Sequence, residues 1–135
     1  MEPRMILVDT KVLLDIYKAD PVWLAWSAKQ LRIAKPGHLA INMVVYAELA
    51  GHPSVGQRLD QFLDELDIQV LDLTRAAAKL AGRAFLQYRQ RAVTKTGVLP
   101  DFFIGAHAAA ENFKLLTRDA GRYKTYFPKI KLIAP

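Results

Sequence analysis

Met5-Ile6-Leu7-Val8-Asp9 is the stretch on which the fold turns. Four apolar residues run without polar alternation, so the segment reads as a strand buried on both faces, as in a parallel sheet. It ends on a carboxylate. Val12 to Tyr17 then reads as a helix. A second helix is expected over Val22 to Ile33, opened by Asp20-Pro21, a capping acid followed by a first-turn proline. Pro36-Gly37 breaks the chain, and His38 to Ile41 is a second strand. Asn42 caps a helix to Ala50, with Gly51 at its C-terminal end. Val55 to Leu66 reads as one amphipathic helix and Ile68 to Leu71 as a third strand. Thr74 caps a long helix to Arg91. A polar loop, Ala92 to Leu99, leads to Pro100-Asp101 and a helix to about Glu111. Lys114 to Thr117, Ala120 to Phe127 and Lys131 to Ala134 complete the pattern as strand, helix and strand. Strands alternating with helices argue an α/β fold with a doubly wound parallel sheet, helices on both faces. No linker divides residues 1–135, so one domain is expected.

Composition narrows the function. The chain has 135 residues, 52% of them hydrophobic, enough for one ordinary core. It has no cysteine, which excludes disulfides, thiolate metal sites and cysteine catalysis. No apolar run is long enough to span a bilayer, and no secretory signal opens the chain, so a soluble cytoplasmic domain is expected. The net charge of +6 is uneven. Residues 1–70 hold 7 Lys/Arg against 9 Asp/Glu, whereas 71–135 hold 12 against 4. A basic half fits a polyanion, nucleic acid foremost, but also an acidic protein or plain solvent.

The acids carry the chemistry. In doubly wound sheets the reactive edge lies beyond the carboxyl ends of the strands. Asp9 follows the first strand directly, and Asp119 follows the fourth by two residues. Asp101 opens a helix, where an anion is favoured. Each alone has an ordinary reading as a cap. Glu48 interrupts the apolar helix Met43-Val44-Val45-Tyr46-Ala47-Glu48-Leu49-Ala50, where a buried carboxylate needs partners or a proton. Gathered on one edge, the four repel unless cations intervene. Mg²⁺ or Mn²⁺, hard ions that prefer oxygen, relieve that repulsion and suit phosphodiester hydrolysis.

Ile6-Leu7-Val8-Asp9-Thr10, Val45-Tyr46-Ala47-Glu48-Leu49, Leu99-Pro100-Asp101-Phe102-Phe103-Ile104-Gly105-Ala106 and Leu116-Thr117-Arg118-Asp119 resemble the four signature segments of PIN domains. Their order and spacing are most similar to VapC-type toxins of bacterial toxin–antitoxin pairs. The resemblance implies a metal-dependent endoribonuclease that leaves a free 3′ hydroxyl. It also implies a VapB-type antitoxin partner and a homodimer. By motif, Asp9, Glu48, Asp101 and Asp119 hold Mg²⁺ or Mn²⁺, and Thr117 takes a positioning role. One position departs: Lys11 stands where the family commonly has asparagine. Its ammonium is expected either to pair with Asp9 and weaken metal binding, to bind substrate phosphate, or to reach solvent.

Other cations are candidates for RNA contact: Arg91 and Lys95 before Asp101, and Arg118 and Arg122 around Asp119. Arg75, Lys79 and Arg83 form a stripe on the long helix that fits phosphates, an acidic partner or solvent equally. His38, His52 and His107 lack metal-ligand spacing and read as structural or exposed. Trp23 and Trp26 read as core or dimer surface. Two other functions compete with the nuclease. One is a non-catalytic relative that binds RNA or a protein partner. The other is a phosphatase with Asp9 as nucleophile, which lacks the second aspartate wanted at position 11.

Overall fold

The computed structural model describes residues 5–91 and 99–135. Strands β1 (Ile6–Val8), β2 (Leu39–Asn42), β3 (Gln69–Leu71), β4 (Lys114–Leu116) and β5 (Lys131–Ile133) form one sheet in the order β3-β2-β1-β4-β5. All four pairings are parallel, with Ile6 opposite both Leu39 and Lys114. The apolar run of β1 thus occupies the centre, where Leu7 and Val8 are wholly buried. Chain direction across the sheet reverses at β1, and this switch point lies between β1 and β4. The expected doubly wound α/β domain is therefore present.

Helices α1 (Thr10–Tyr17) and α2 (Leu24–Ile33) connect β1 to β2. After β2 come α3 (Met43–Ala50), a 3₁₀ turn (Gly56–Arg58) and α4 (Leu59–Glu65). Helices α5 (Arg75–Gln90) and α6 (Leu99–Glu111) pack together and carry the chain across to β4, and α7 (Ala120–Tyr126) leads to β5. Val12, Leu13, Ile41, Val45, Leu49, Ile104, Leu115 and Leu116 form the core between the layers.

The local capping chemistry follows the sequence. Asn42 Oδ1 accepts from the Val44 and Val45 N–H groups, and Thr74 Oγ1 accepts from Ala77 N–H. Two expected helices open late. Asp20 Oδ1 accepts from Val22 and Trp23 N–H, which holds those residues in a turn and delays α2 to Leu24. The expected single helix from Val55 breaks into the 3₁₀ turn and α4, because His52 O takes both the Val55 and Gly56 N–H groups. Gly51 does end α3, but with a right-handed φ of −77°. Most of the expected Ala92–Leu99 loop lies outside the described residues, and Leu99 already belongs to α6. Among the described residues no helix is long and apolar enough to cross a membrane.

Candidate active site

Asp9 is the last residue before α1 and reaches the switch point of the sheet. Its carboxylate is buried and accepts three hydrogen bonds. Thr10 N–H donates to Oδ1 at 2.8 Å, and Thr117 Oγ1 donates to Oδ2 at 2.8 Å. Tyr123 OH, from α7, donates to Oδ2 at 3.1 Å and also lies 3.5 Å from Asp101 Oδ1. Thr117 Oγ1 in turn accepts the Asp119 N–H at 3.0 Å, so one buried hydroxyl joins the Asp9 carboxylate to the Asp119 backbone.

Glu48 comes from α3. The apolar run around it predicts burial, but the residue is exposed where it lines the cleft. The exposed strip of α3 is itself apolar, including Met43 and Ala47, so an apolar run does not mark the buried side of this helix. Thr10 Oγ1 donates to Glu48 Oε1 at 2.7 Å. Asp101, in the first turn of α6, is held by the Arg122 guanidinium. Asp119 caps no backbone group with its side chain.

Asp9, Glu48, Asp101 and Asp119 line one cleft of about 190 Å³, together with Thr10, Lys11, Leu14, Arg122 and Tyr123. All four acids expected from the sequence are thus brought to one place. Burial raises the Asp9 carboxyl above its ordinary value, and the charge of Asp101 adds to the shift. Glu48 is raised as well, first by partial desolvation and then by Asp101 and Asp9, while Lys11 pulls the other way. Burial, then Asp9 and Asp101, push the Tyr123 phenol far upward, so it remains a proton donor.

The cations divide. Lys11 lines the cleft and makes no ion pair among the described residues; the guard on an acid is Arg122 on Asp101 instead. Arg118 turns away: it pairs with Asp15 at 3.1 Å and lies 5.0 Å from the Trp23 ring. The expectation of an Arg118 facing RNA does not match this placement, because a buried carboxylate holds it. Arg91 sits over the Tyr126 ring at 5.5 Å and does not line the cleft. Lys95 lies outside the described residues. His107 is buried, with Nδ1 3.2 Å from Asn42 Nδ2, and burial lowers its pKa. Sequence reasoning missed Tyr123 and Thr10. The available signal was spacing: Tyr123 follows Asp119 by one helical turn.

The four carboxylates of the cleft, two of them with raised pKa, offer the oxygen donors that a hard divalent cation prefers, with Lys11 and Arg122 as the cations beside them. Among the described residues, however, no three acidic or histidine side chains are drawn to ligand spacing. Hydroxyls satisfy Asp9 and Glu48, and Arg122 satisfies Asp101, instead.

A doubly wound domain with converging carboxylates at its switch point defines a class of α/β protein built around an acidic site. The PIN-domain model matches residues 6–128, and the chain belongs to that family. Members of the family are generally nucleases. Among solved structures, the chain is similar to VapBC2 from Rickettsia felis bound to a promoter DNA fragment. That match has 20% identity, a TM-score of 0.66, and covers 96% of this chain and 98% of the other. It is similar to DNA-bound VapBC from Salmonella typhimurium at 18% identity and TM-score 0.69, with 98% of each chain covered. A toxin–antitoxin complex from Klebsiella pneumoniae matches at 20% identity and TM-score 0.64, with 95% of each covered. At these identities the likeness establishes the fold. No protein of curated function matches the sequence.

Proposed function

We propose that the protein is a divalent-metal-dependent endoribonuclease, the toxin of a VapBC-type pair. The observation that carries this reading is the convergence of Asp9, Glu48, Asp101 and Asp119, from four separate segments, on one cleft of a PIN fold. These four residues would hold Mg²⁺ or Mn²⁺. When bound, the metal would supply the Lewis acidity that activates water and neutralises a phosphodiester.

The chain's own groups prepare the site. Thr117 and Tyr123 donate to Asp9 and hold it in one orientation, ready to act as a ligand. The Thr10 hydroxyl orients Glu48. Lys11 and Arg122 at the cleft give a phosphate two cations to meet inside an otherwise acidic pocket. A small VapB-type antitoxin, a homodimer and a cytoplasmic setting belong to the same reading.

The test is incubation of the purified protein with a mixed RNA pool under Mg²⁺, Mn²⁺ or EDTA, with mapping of cut ends. We expect cleavage with metal and none with EDTA. Asp9→Asn and Asp101→Asn should each abolish it, with circular dichroism unchanged. Full cleavage by either variant rejects the assigned site. Arg122 on Asp101 favours one alternative, a domain that binds RNA without cutting it. RNA binding with no turnover under any divalent metal would select that alternative.

A further inference from the structure

Arg122 stands in the first turn of α7 with 38% of its side chain accessible. Its Nη1 group donates to Asp101 Oδ2. Among the described residues its Nε and Nη2 groups make no hydrogen bond. The acids around it are otherwise engaged by neutral donors: Thr10, Thr117 and Tyr123 serve Asp9, and Thr10 serves Glu48. The Asp119 carboxylate accepts no hydrogen bond among the described residues.

The charge inventory of the cleft then matters. Four carboxylates face two cations, Lys11 and Arg122, which leaves a formal charge of −2. That is the complement of one divalent ion. A second would leave the cleft positive while Arg122 still held Asp101 through Oδ2, with only Oδ1, 3.5 Å from Tyr123 OH, left to a metal. A guanidinium presents five donors in a planar fork, so one edge can stay on a carboxylate while another meets a phosphate. An ammonium offers no such fork.

We propose that the cleft takes a single divalent cation, and that Arg122 substitutes for a second: it neutralises Asp101 and presents its free N–H groups to the RNA phosphate. This rests on the metal-nuclease reading above. It adds that the number of ions is set by one arginine of this chain.

The test uses the full chain, stripped of metal, with Mn²⁺ alone as the probe. Calorimetric titration, checked by electron paramagnetic resonance, counts ions per chain. Binding of a short single-stranded RNA in EDTA is measured in parallel, with circular dichroism as the fold control. The wild type is expected to bind one Mn²⁺. Arg122→Gln should gain a second and bind RNA about 10-fold more weakly, the loss of one charged phosphate contact. Arg122→Lys should keep the count at one, because the charge remains, but lose RNA affinity with the fork. Two ions in the wild type, one in both wild type and Arg122→Gln, or unchanged RNA affinity in Arg122→Gln would each overturn the inference and leave the metal reading standing. No Mn²⁺ bound by either protein overturns the metal reading, and this inference with it.

Discussion

Asp9 is a carboxylate placed where its charge is costly. Burial and the Asp101 charge raise it, and Glu48 is raised by the same kinds of cause. When a folded pKa exceeds the unfolded value, the folded state takes up its proton first as pH falls. Stability therefore rises as pH drops through the folded value, and the gain is complete below the ordinary values of about 3.9 and 4.3. His107 opposes this: its pKa is lowered, so its neutral burial costs stability as pH falls through about 6.5. Comparing the metal-free wild type with Asp9→Asn/Glu48→Gln cancels the histidine. Wild-type stability minus that of the variant should grow as pH falls through the raised values toward the ordinary carboxylate range, by at most about 1.4 kcal/mol per pH unit for each proton taken up. Urea midpoints in EDTA measure it, and a flat difference would show that neither acid is strained. The acids were legible because strand ends and helix starts locate them. Tyr123 was less so: its spacing from Asp119 was visible, but a buried phenol reads as core until the fold brings α7 over Asp9.

Among the elements, α6 and α7 meet where Gly105 leaves no room. A Cβ there would lie 2.5 Å from the Phe127 ring and 3.0 Å from the Tyr123 ring. Gly105→Ala should cost about 1–3 kcal/mol through overpacking. It should also impair cleavage, since the ring it pushes carries the hydroxyl on Asp9. Gly82, on the exposed side of α5, has nothing within 4 Å of a new Cβ. Gly82→Ala should stabilise by about 0.5–1 kcal/mol and leave cleavage unchanged. Denaturant melts of the two variants separate these outcomes, and equal effects would contradict the close approach of α6 and α7. Element types were readable from the sequence because β1 is a short apolar run and β4 carries the buried pair Leu115-Leu116, while α5 shows clear helical amphipathicity. Boundaries failed where one acceptor served two donors, as Asp20 does before α2 and His52 before the 3₁₀ turn. Pattern alone does not reveal such sharing.

Across the whole molecule, one ion pair among the described residues ties the two halves of the chain together away from the cleft. Asp15 on α1 is buried, accepts Ser27 Oγ from α2 at 2.9 Å, and holds Arg118 in the segment between β4 and α7. Residue separation hid this from the sequence, where Arg118 looked like an RNA contact beside Asp119. Its Nε is buried without a partner, so the pair is imperfectly satisfied. Such pairs add little net stability, yet breaking one strands a charge. Asp15→Ala should therefore cost roughly 2–3 kcal/mol, toward the low end because Arg118 keeps some solvent. Replacing both members, Asp15→Leu/Arg118→Met, should recover most of that loss. Cleavage then decides what the pair is for. Arg118 precedes Asp119 directly, so a pair that positions this acid should leave the double variant stable but still about 10-fold slow, with weaker Mn²⁺ binding. If activity and metal affinity return together with stability, the pair serves only to join α1, α2 and the β4–α7 segment, and Asp119 owes its place to Thr117.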